Sequence, residues 1–499
     1  VSIDLRPSTS PAPLTLGTIA AACGLTTSDP HVSVTGVTHD SGAVRPGDLF
    51  AALPGARVHG ATYADQAASL GAVAVLTDPA GAAMVGDLPV VLAEDPREAL
   101  GAVAAEIYGH PARELLLIGV TGTNGKSTTV HLLEAGLRAA GHTTGIIGTT
   151  GVRIGDRDVP NDRTTPEATD LHALLAVMRE EGVTAVAMEV SSHALVLGRV
   201  NGLVYDVAIF TQLSQDHLDF HGTMEDYFAA KADLFTPARS RRAVIGVDGM
   251  WGRRLADQCE IPQITYALDH DADVVCASVV TDPTGQTLSI RDDSGGSFEV
   301  AVGLPGRFNA ANALGSWAAL RDAGISPEVL ATAMAGVHVP GRMEIIDAGQ
   351  DFTAIVDYAH SPDAVERVIS AIIPRRRRIV VLGCGGDRDR DKRYAMGDAA
   401  AAGADILIVT DDNPRSEDPA AIRSAMLAGA SAVGRDVREI GDRREAITAA
   451  VALAQADDVL LLLGKGHESG QEVAGVVTPF DDREVLRAAI RDRLEGGRA

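Results

Sequence analysis

Four apolar runs in the last third of the chain carry no polar residue in their interiors: Thr353-Ala-Ile-Val-Asp357, Arg378-Ile-Val-Val-Leu-Gly383, Asp405-Ile-Leu-Ile-Val-Thr410 and Asp458-Val-Leu-Leu-Leu-Leu463. A strand covered on one face alternates apolar with polar residues, whereas one covered on both reads as a continuous run. These four predict a doubly wound parallel sheet. The middle of the chain repeats the pattern in Leu115 to Val120, Ala185-Val-Ala-Met-Glu-Val190 and Val207-Ala-Ile-Phe-Thr-Gln-Leu213, with helical spacing at Val130, Leu133 and Leu137. From Val274 to Val302 the period changes to two, broken by Asp282-Pro-Thr-Gly285 and Asp292-Asp-Ser-Gly-Gly296, which predicts a small antiparallel sheet. Near the start, Asp48-Leu-Phe-Ala-Ala-Leu53, Ala72-Val-Ala-Val-Leu76 and Pro89-Val-Val-Leu92 alternate with alanine-rich helical stretches. A helix from Pro96 to Tyr108 and the polar stretch to Glu114 read as an exit linker, and Val337-His-Val-Pro-Gly-Arg342 as a second one. The expectation is an α/β protein of three domains: an N-terminal α/β unit over 1–112, a central phosphate-loop domain over 113–340, and a C-terminal Rossmann-like domain over 341–499.

The length of 499 residues suits three domains of ~150 residues. No apolar run is long enough to span a membrane, and Val1 to Pro13 carries no basic-then-apolar leader, so a cytoplasmic protein is expected. Cys23, Cys259, Cys276 and Cys384 lie far apart without a CxxC pair, against a zinc site or a disulfide framework. A formal charge of −24 opposes nucleic acid as a partner, so any anionic ligand must be gripped by local devices. Among 43 Lys+Arg, the lysines are Lys126, Lys231, Lys392 and Lys465. Lysine can lose its proton and act as an amine and arginine cannot, so each of the four invites a question.

The strongest chemical signal is Thr121-Gly-Thr-Asn-Gly-Lys-Ser127, lying between a strand and a helix. Glycines let backbone N–H groups turn toward one point, and the helix start adds partial positive charge, which suits a polyphosphate. Lys126 reaches the terminal phosphates and Ser127 binds Mg2+, although Val120 stands where G-x-x-x-x-G-K-[ST] has its first glycine. Glu189, at the end of a buried strand, reads as a metal or water-positioning ligand. The loop Ser214-Gln-Asp-His-Leu-Asp-Phe-His-Gly222 crowds acids and histidines, and without cysteines it favours Mg2+ over zinc. In the last domain, Cys384-Gly-Gly-Asp-Arg388, Asp411-Asp-Asn-Pro-Arg415 and Gly464-Lys-Gly-His-Glu468 each follow a strand. Such loops converge, so Arg388, Arg415 and Glu468 are expected to share a site for a zwitterionic, carboxylate-bearing substrate.

Together with Met188-Glu-Val-Ser-Ser-His-Ala194, Arg307-Phe-Asn-Ala-Ala-Asn312 and Asp357-Tyr-Ala-His360, these motifs resemble the Mur ligases of peptidoglycan synthesis over nearly the whole chain, and narrow the resemblance to the MurE branch. That branch adds the third amino acid to UDP-N-acetylmuramoyl-L-alanyl-D-glutamate, and Asp412-Asn-Pro-Arg415 is similar to the signature of members that add meso-diaminopimelate. The resemblance implies ATP on Gly122, Thr123, Asn124, Gly125, Lys126, Ser127 and Thr128, with Asn309, Asn312, Arg342 and Asp357 at adenine and ribose. It implies Mg2+ on Ser127, Glu189 and His217, and a carbamylated lysine (N6-carboxylysine) at Lys231 bridging toward a second Mg2+. UDP-substrate contacts are implied for Ser41, Arg57, Thr164, Thr165, Ser191 and Arg199, and diaminopimelate contacts for Arg388, Asp412, Asn413, Pro414, Arg415, Gly464 and Glu468. Gly42 and Leu197 depart from residues that relatives often carry at the UDP substrate. The expected partners are small molecules only, with a monomer as the working unit. A folylpolyglutamate synthase would share the loop but not account for Asp412-Asn-Pro-Arg415 or the extra N-terminal domain. A GTP switch would need an Asn-Lys-x-Asp-like reader, which no lysine neighbourhood supplies.

Overall fold

The computed structural model describes residues 5–8, 13–159, 161, 163–282, 285–293, 295–372 and 374–496. Pro283, Thr284 and Ser294 of the two expected turns, and most of the expected leaderless segment before Pro13, lie outside the described residues.

The strand Leu116–Thr121 shows why the apolar runs are continuous. Leu117 packs into one core beside Leu171 and Leu174, while Ile118 and Val120 pack into another beside Val130, Leu133 and Leu137. All three strand residues are fully buried, each contributing roughly 1.5–3 kcal/mol. The strands Thr144–Gly148, Ala185–Glu189, Leu116–Thr121, Val207–Phe210, Ala243–Gly246 and Gln263–Ala267 lie side by side in that order and run parallel. The antiparallel strands Val274–Asp282, Gly285–Asp292 and Ser297–Val302 are hydrogen bonded onto this sheet through Tyr266 and Val274, so the two parts form one sheet of eleven strands. At the opposite edge a hairpin, Gly151–Ile154 with Arg157–Val159, completes it. Val152 and Ile154 turn into the core, but this alternation is too short to have stood out beside Arg153, Arg157 and Asp158.

In the N-terminal domain, Thr26–Thr27, Val90–Leu92, Ala74–Thr77, Asp48–Ala51 and Gly36–Thr38 form a five-stranded sheet. The helix Pro96–Ile107 is capped by Asp95 and begins with Pro96, both standard start signals. It does more than lead out of the domain. Ala168, Ala173 and Ala176 of the central helix Ala168–Glu180 pack into its core, and Glu98 accepts a backbone bond from the Asn201 side chain at 3.1 Å. The polar stretch after it folds into a short 3₁₀ turn, Pro111–Glu114. No helix among the described residues is long and apolar enough to cross a membrane.

The C-terminal sheet has the order Glu344–Ile345, Thr353–Asp357, Val459–Leu463, Arg378–Leu382, Ile406–Val409, Asp436–Glu439, parallel except for the first strand. Its register sets Asp357 beside Leu463, Leu463 beside Leu382, and Leu382 beside Val409. The strand ends are therefore level, and the loops that follow them open on one side. Beneath those loops lies a fully buried ion pair, Arg443 with Asp482 at 2.5 Å. The same guanidinium donates to the carbonyls of Leu463 at 3.0 Å and Asp411 at 3.3 Å, tying two strand ends together. Replacing Arg443 by Met should leave Asp482 buried and unpaired and destabilise the C-terminal domain by about 3–5 kcal/mol. Urea unfolding followed by hydrogen exchange of the strand Val459–Leu463 checks this.

Candidate active site

The helix Lys126–Ala139 starts at Gly125 without a side-chain cap, leaving its first N–H groups for a ligand. Gly125 has φ 89°, and a Cβ there would collide with the Asn312 side chain, so the loop packs against Asn312 only with glycine in place. The loop is fastened from behind. Thr123 exchanges hydrogen bonds with Ser214 at 3.1 Å and lies 3.1 Å from the Tyr227 hydroxyl, while the Thr211 hydroxyl donates to the Asn124 carbonyl at 2.7 Å.

Two lysines converge on this loop. Lys126 Nζ donates to the carbonyls of Gly122 at 2.8 Å and Thr123 at 2.9 Å, and Lys231 Nζ donates to the same Gly122 carbonyl at 2.9 Å. Lys231, from the helix Met224–Ala232, is 1% exposed and sits 4.8 Å over the Tyr227 ring. Burial, and then the neighbouring Lys126 charge, hold the Lys231 amine well below the usual lysine range. Burial also lowers Lys126, against the opposing pull of Glu189.

Thr123 to Thr128, Lys126 among them, line a cavity of about 890 Å3 between the central and C-terminal domains, with Lys231 behind the loop. Ser127, Thr128, Glu189 and His217 line it from one side, and Arg342, Asp357 and Tyr358 from the other, with Asn309 and Asn312 between. Glu189 is 1% exposed; its two oxygens accept the Thr149 N–H at 2.8 Å and hydroxyl at 3.2 Å, and it makes no ion pair among the described residues. His217 stands at the rim in a left-handed conformation, φ 54°, heading a short helical turn, Leu218–His221, within the expected loop. Partial burial, outweighing nearby Asp216, pushes its imidazole down to about 4, so the ring is neutral and able to accept. Asp357 accepts the N–H groups of Met343 and Ala359, both at 2.8 Å, and burial raises its pKa. Arg342 lies 4.5 Å over the Tyr358 ring. The buried carboxylate and the hydroxyl suit Mg2+ in donor type, whereas the imidazole nitrogen departs from its preference for oxygen. Among the described residues no three His, Cys, Asp or Glu side chains group in a way that could hold a metal ion.

Four of the residues expected at the UDP substrate meet beside Glu189. Thr164 contacts Thr149 at 2.9 Å, Thr165 donates to the Glu189 carbonyl at 2.9 Å and accepts from the Ser191 N–H at 3.2 Å, and Arg199 donates to the Thr165 carbonyl at 3.3 Å. Ser41 and Arg57 stand apart, on N-terminal loops outside the lining, Ser41 near Gln66 at 3.4 Å and Arg57 exposed.

The C-terminal loops form a second cluster. Asn413 donates to Glu468 at 2.7 Å, and Lys465, fully buried, donates to Asn413 at 3.1 Å, Glu468 at 3.1 Å and the Gly470 carbonyl at 2.7 Å. Gly464, φ 113°, brings its backbone against the Asp412 carboxylate, and Pro414 backs onto Gly386. Arg415 donates to the Gly386 carbonyl at 2.7 Å. Arg388 does not join them with its side chain, which is exposed. Its neighbour Asp387 instead accepts the Ser416 hydroxyl at 2.7 Å and N–H at 3.0 Å with its carboxylate, while the Gly386 backbone meets Asn413 and Arg415. Sequence reasoning missed Thr149, Tyr358 and the pinning role of Lys465; the scarcity of lysine was the one available signal, and it pointed at Lys465.

A glycine-rich phosphate cradle at the end of a parallel sheet, facing a Rossmann-like lobe across a shared cavity, defines a multidomain phosphate-loop enzyme. Residues 33–108 match the Mur ligase family catalytic domain, 120–320 the Mur ligase middle domain, and 341–466 the Mur ligase glutamate ligase domain. The chain belongs to the Mur ligase family. It is 54% identical to the UDP-N-acetylmuramoyl-L-alanyl-D-glutamate--2,6-diaminopimelate ligase of Streptomyces coelicolor, over 95% of this chain and 96% of that one. A solved structure of an enzyme of the same name aligns with TM-score 0.70 at 33% identity, covering 97% of this chain and 100% of that one. The folylpolyglutamate synthase of Mycobacterium tuberculosis complexed with ADP aligns with TM-score 0.62 at 19% identity over 81% of this chain and 95% of its own, a likeness of fold alone.

Substituting Gly125 by Ala should force the loop away from Asn312 and weaken ADP binding about 10-fold or more, a loss of ~1.4 kcal/mol. Isothermal titration with ADP and Mg2+ measures it.

Proposed function

We propose that this chain is the ATP-dependent ligase that joins meso-diaminopimelate to UDP-N-acetylmuramoyl-L-alanyl-D-glutamate, completing the UDP-muramoyl tripeptide of peptidoglycan synthesis. The observation that carries the reading is 54% identity to a ligase of that name along essentially the whole chain. The loop cluster supports the choice of amino acid. Asn413, Arg415 and Glu468 offer donors and a carboxylate to a ligand bearing both ammonium and carboxylate groups. Lysine lacks the second carboxylate, so Arg415 would keep only its contacts to the Gly386 carbonyl at 2.7 Å and to Glu472 at 3.5 Å and gain none from the ligand.

In this reading Gly122 to Thr128 cradle the ATP phosphates, and Asn309, Asn312, Arg342 and Asp357 hold the nucleoside. Ser127, Glu189 and His217 would hold Mg2+, which offsets phosphate charge when bound. The D-glutamyl γ-carboxylate attacks the γ-phosphorus and ADP leaves; the diaminopimelate amine then attacks the acyl carbon, loses its proton and expels phosphate. Lys126 offsets charge gathering on the transferred group. Thr164, Thr165, Ser191 and Arg199 face the UDP substrate beside Glu189, with Ser41 and Arg57 reaching it from the N-terminal domain. Asp412, Pro414, Gly464 and the backbone of the Arg388 loop shape the diaminopimelate site. Lys231 takes up CO2 as a neutral amine, forming N6-carboxylysine; its burial beside a second cation favours the uncharged form that this needs. We read the working unit as a monomer, and the need for ATP supports the cytoplasm.

Phosphate release with ATP and the UDP-muramoyl dipeptide should depend on diaminopimelate, with L-lysine far poorer. Equal turnover on lysine would sink the amino-acid assignment. Arg415→Ala should raise KM for diaminopimelate about 10- to 100-fold, the loss of a charged hydrogen bond, and leave KM for ATP unchanged. Lys231→Ala should abolish ligation and regain part of it in acetate or formate, which supply a free carboxylate; absence of rescue, with native mass at Lys231, removes the carbamate.

A further inference from the structure

A continuous hydrogen-bonded path joins the amino-acid cluster to the nucleotide cavity, and it crosses between domains at one side chain. At its C-terminal end, Lys465 and Asn413 fix Glu468, so the loop 464–468 is pinned where the substrate amino acid is read. Within the same loop, His467 Nε2 lies 3.0 Å from the Thr149 carbonyl oxygen in the central domain. A carbonyl only accepts, so Nε2 carries the proton, and Nδ1 is a buried lone pair without a partner. Thr149 then grips Glu189 twice, through its N–H at 2.8 Å and its hydroxyl at 3.2 Å. One residue thus has its carbonyl held by the C-terminal domain and its two donors committed to the carboxylate in the cavity. The loop has little slack, because Gly341 packs so tightly on the His467 backbone that a Cβ would not fit, and Tyr358 lies 5.1 Å from the imidazole.

We propose that His467 is a positioning residue that couples filling of the amino-acid cluster to the placement of Glu189, through the Thr149 peptide. A ligand that settles Glu468 settles the loop, and the loop sets the peptide whose N–H and hydroxyl orient Glu189. The nucleotide and the amino acid therefore bind cooperatively, although their sites share no side chain. This inference rests on the diaminopimelate reading given above.

The test measures the Kd of a non-hydrolysable ATP analogue with Mg2+ and the UDP-muramoyl dipeptide present, with and without diaminopimelate, in wild type, His467→Gln and His467→Leu. The wild type should bind the analogue about 5-fold or more tightly once diaminopimelate is added. His467→Gln keeps a donor and should keep the coupling. His467→Leu should lose it, with analogue affinity in the absence of diaminopimelate within about 2-fold of wild type. Retained coupling in His467→Leu, absent coupling in a wild type that ligates diaminopimelate, or a uniform loss of all binding in His467→Leu with lowered Tm overturns the role of His467. Failure of the wild type to ligate diaminopimelate at all overturns the functional reading instead.

Discussion

A parallel strand covered on both faces has one place for chemistry, which is its end. Leu117, Ile118 and Val120 are committed in alternation to two cores, and the same holds for the strands of the C-terminal sheet. Every polar group that these strands supply to the site must stand where they stop. The phosphate loop follows Leu116–Thr121, Glu189 closes Ala185–Glu189, and the amino-acid loops follow Arg378–Leu382, Ile406–Val409 and Val459–Leu463. Because the register levels the strand ends, loops far apart in sequence meet, and the Arg443 and Asp482 pair keeps two of those ends level.

That constraint also explains what could be read from the chain. Continuous apolar runs reveal doubly covered strands, and polar residues directly after them reveal sites, so Gly125, Lys126, Glu189, Asn413, Arg415 and Glu468 were legible. The scarcity of lysine made Lys231 and Lys465 visible, and both prove buried. What failed to show was whatever depends on tertiary placement without an apolar signature. The edge hairpin shows only the short alternation Val152-Arg-Ile154, and the antiparallel strands join the parallel ones through two adjacent pairings, Tyr266 with Val274 and Ala267 with Val275. The exposure of Arg388 follows from the bonds Asp387 makes with Ser416, which no spacing encodes. The contact from His467 to Thr149 spans 318 positions and ends on a backbone carbonyl, an atom that every residue has.

The protein carries a strong negative charge, yet cations match the acids in the cavity: Lys126, Arg163, Arg199, Arg307, Arg342 and Arg367 line it with Glu189, Asp216, Asp248, Asp269 and Asp357. Local fields rather than the global one decide what enters. Burial and the neighbouring Lys126 charge hold the Lys231 amine well below the usual lysine range.

The Gly122 carbonyl has a consequence for selectivity. It and the Thr123 carbonyl satisfy the Lys126 amine. An anion that is to claim that amine must replace two short hydrogen bonds while also meeting the N–H groups at the start of the helix Lys126–Ala139. A chain of phosphates spreads its oxygens along its length and so can meet both sets of donors at once.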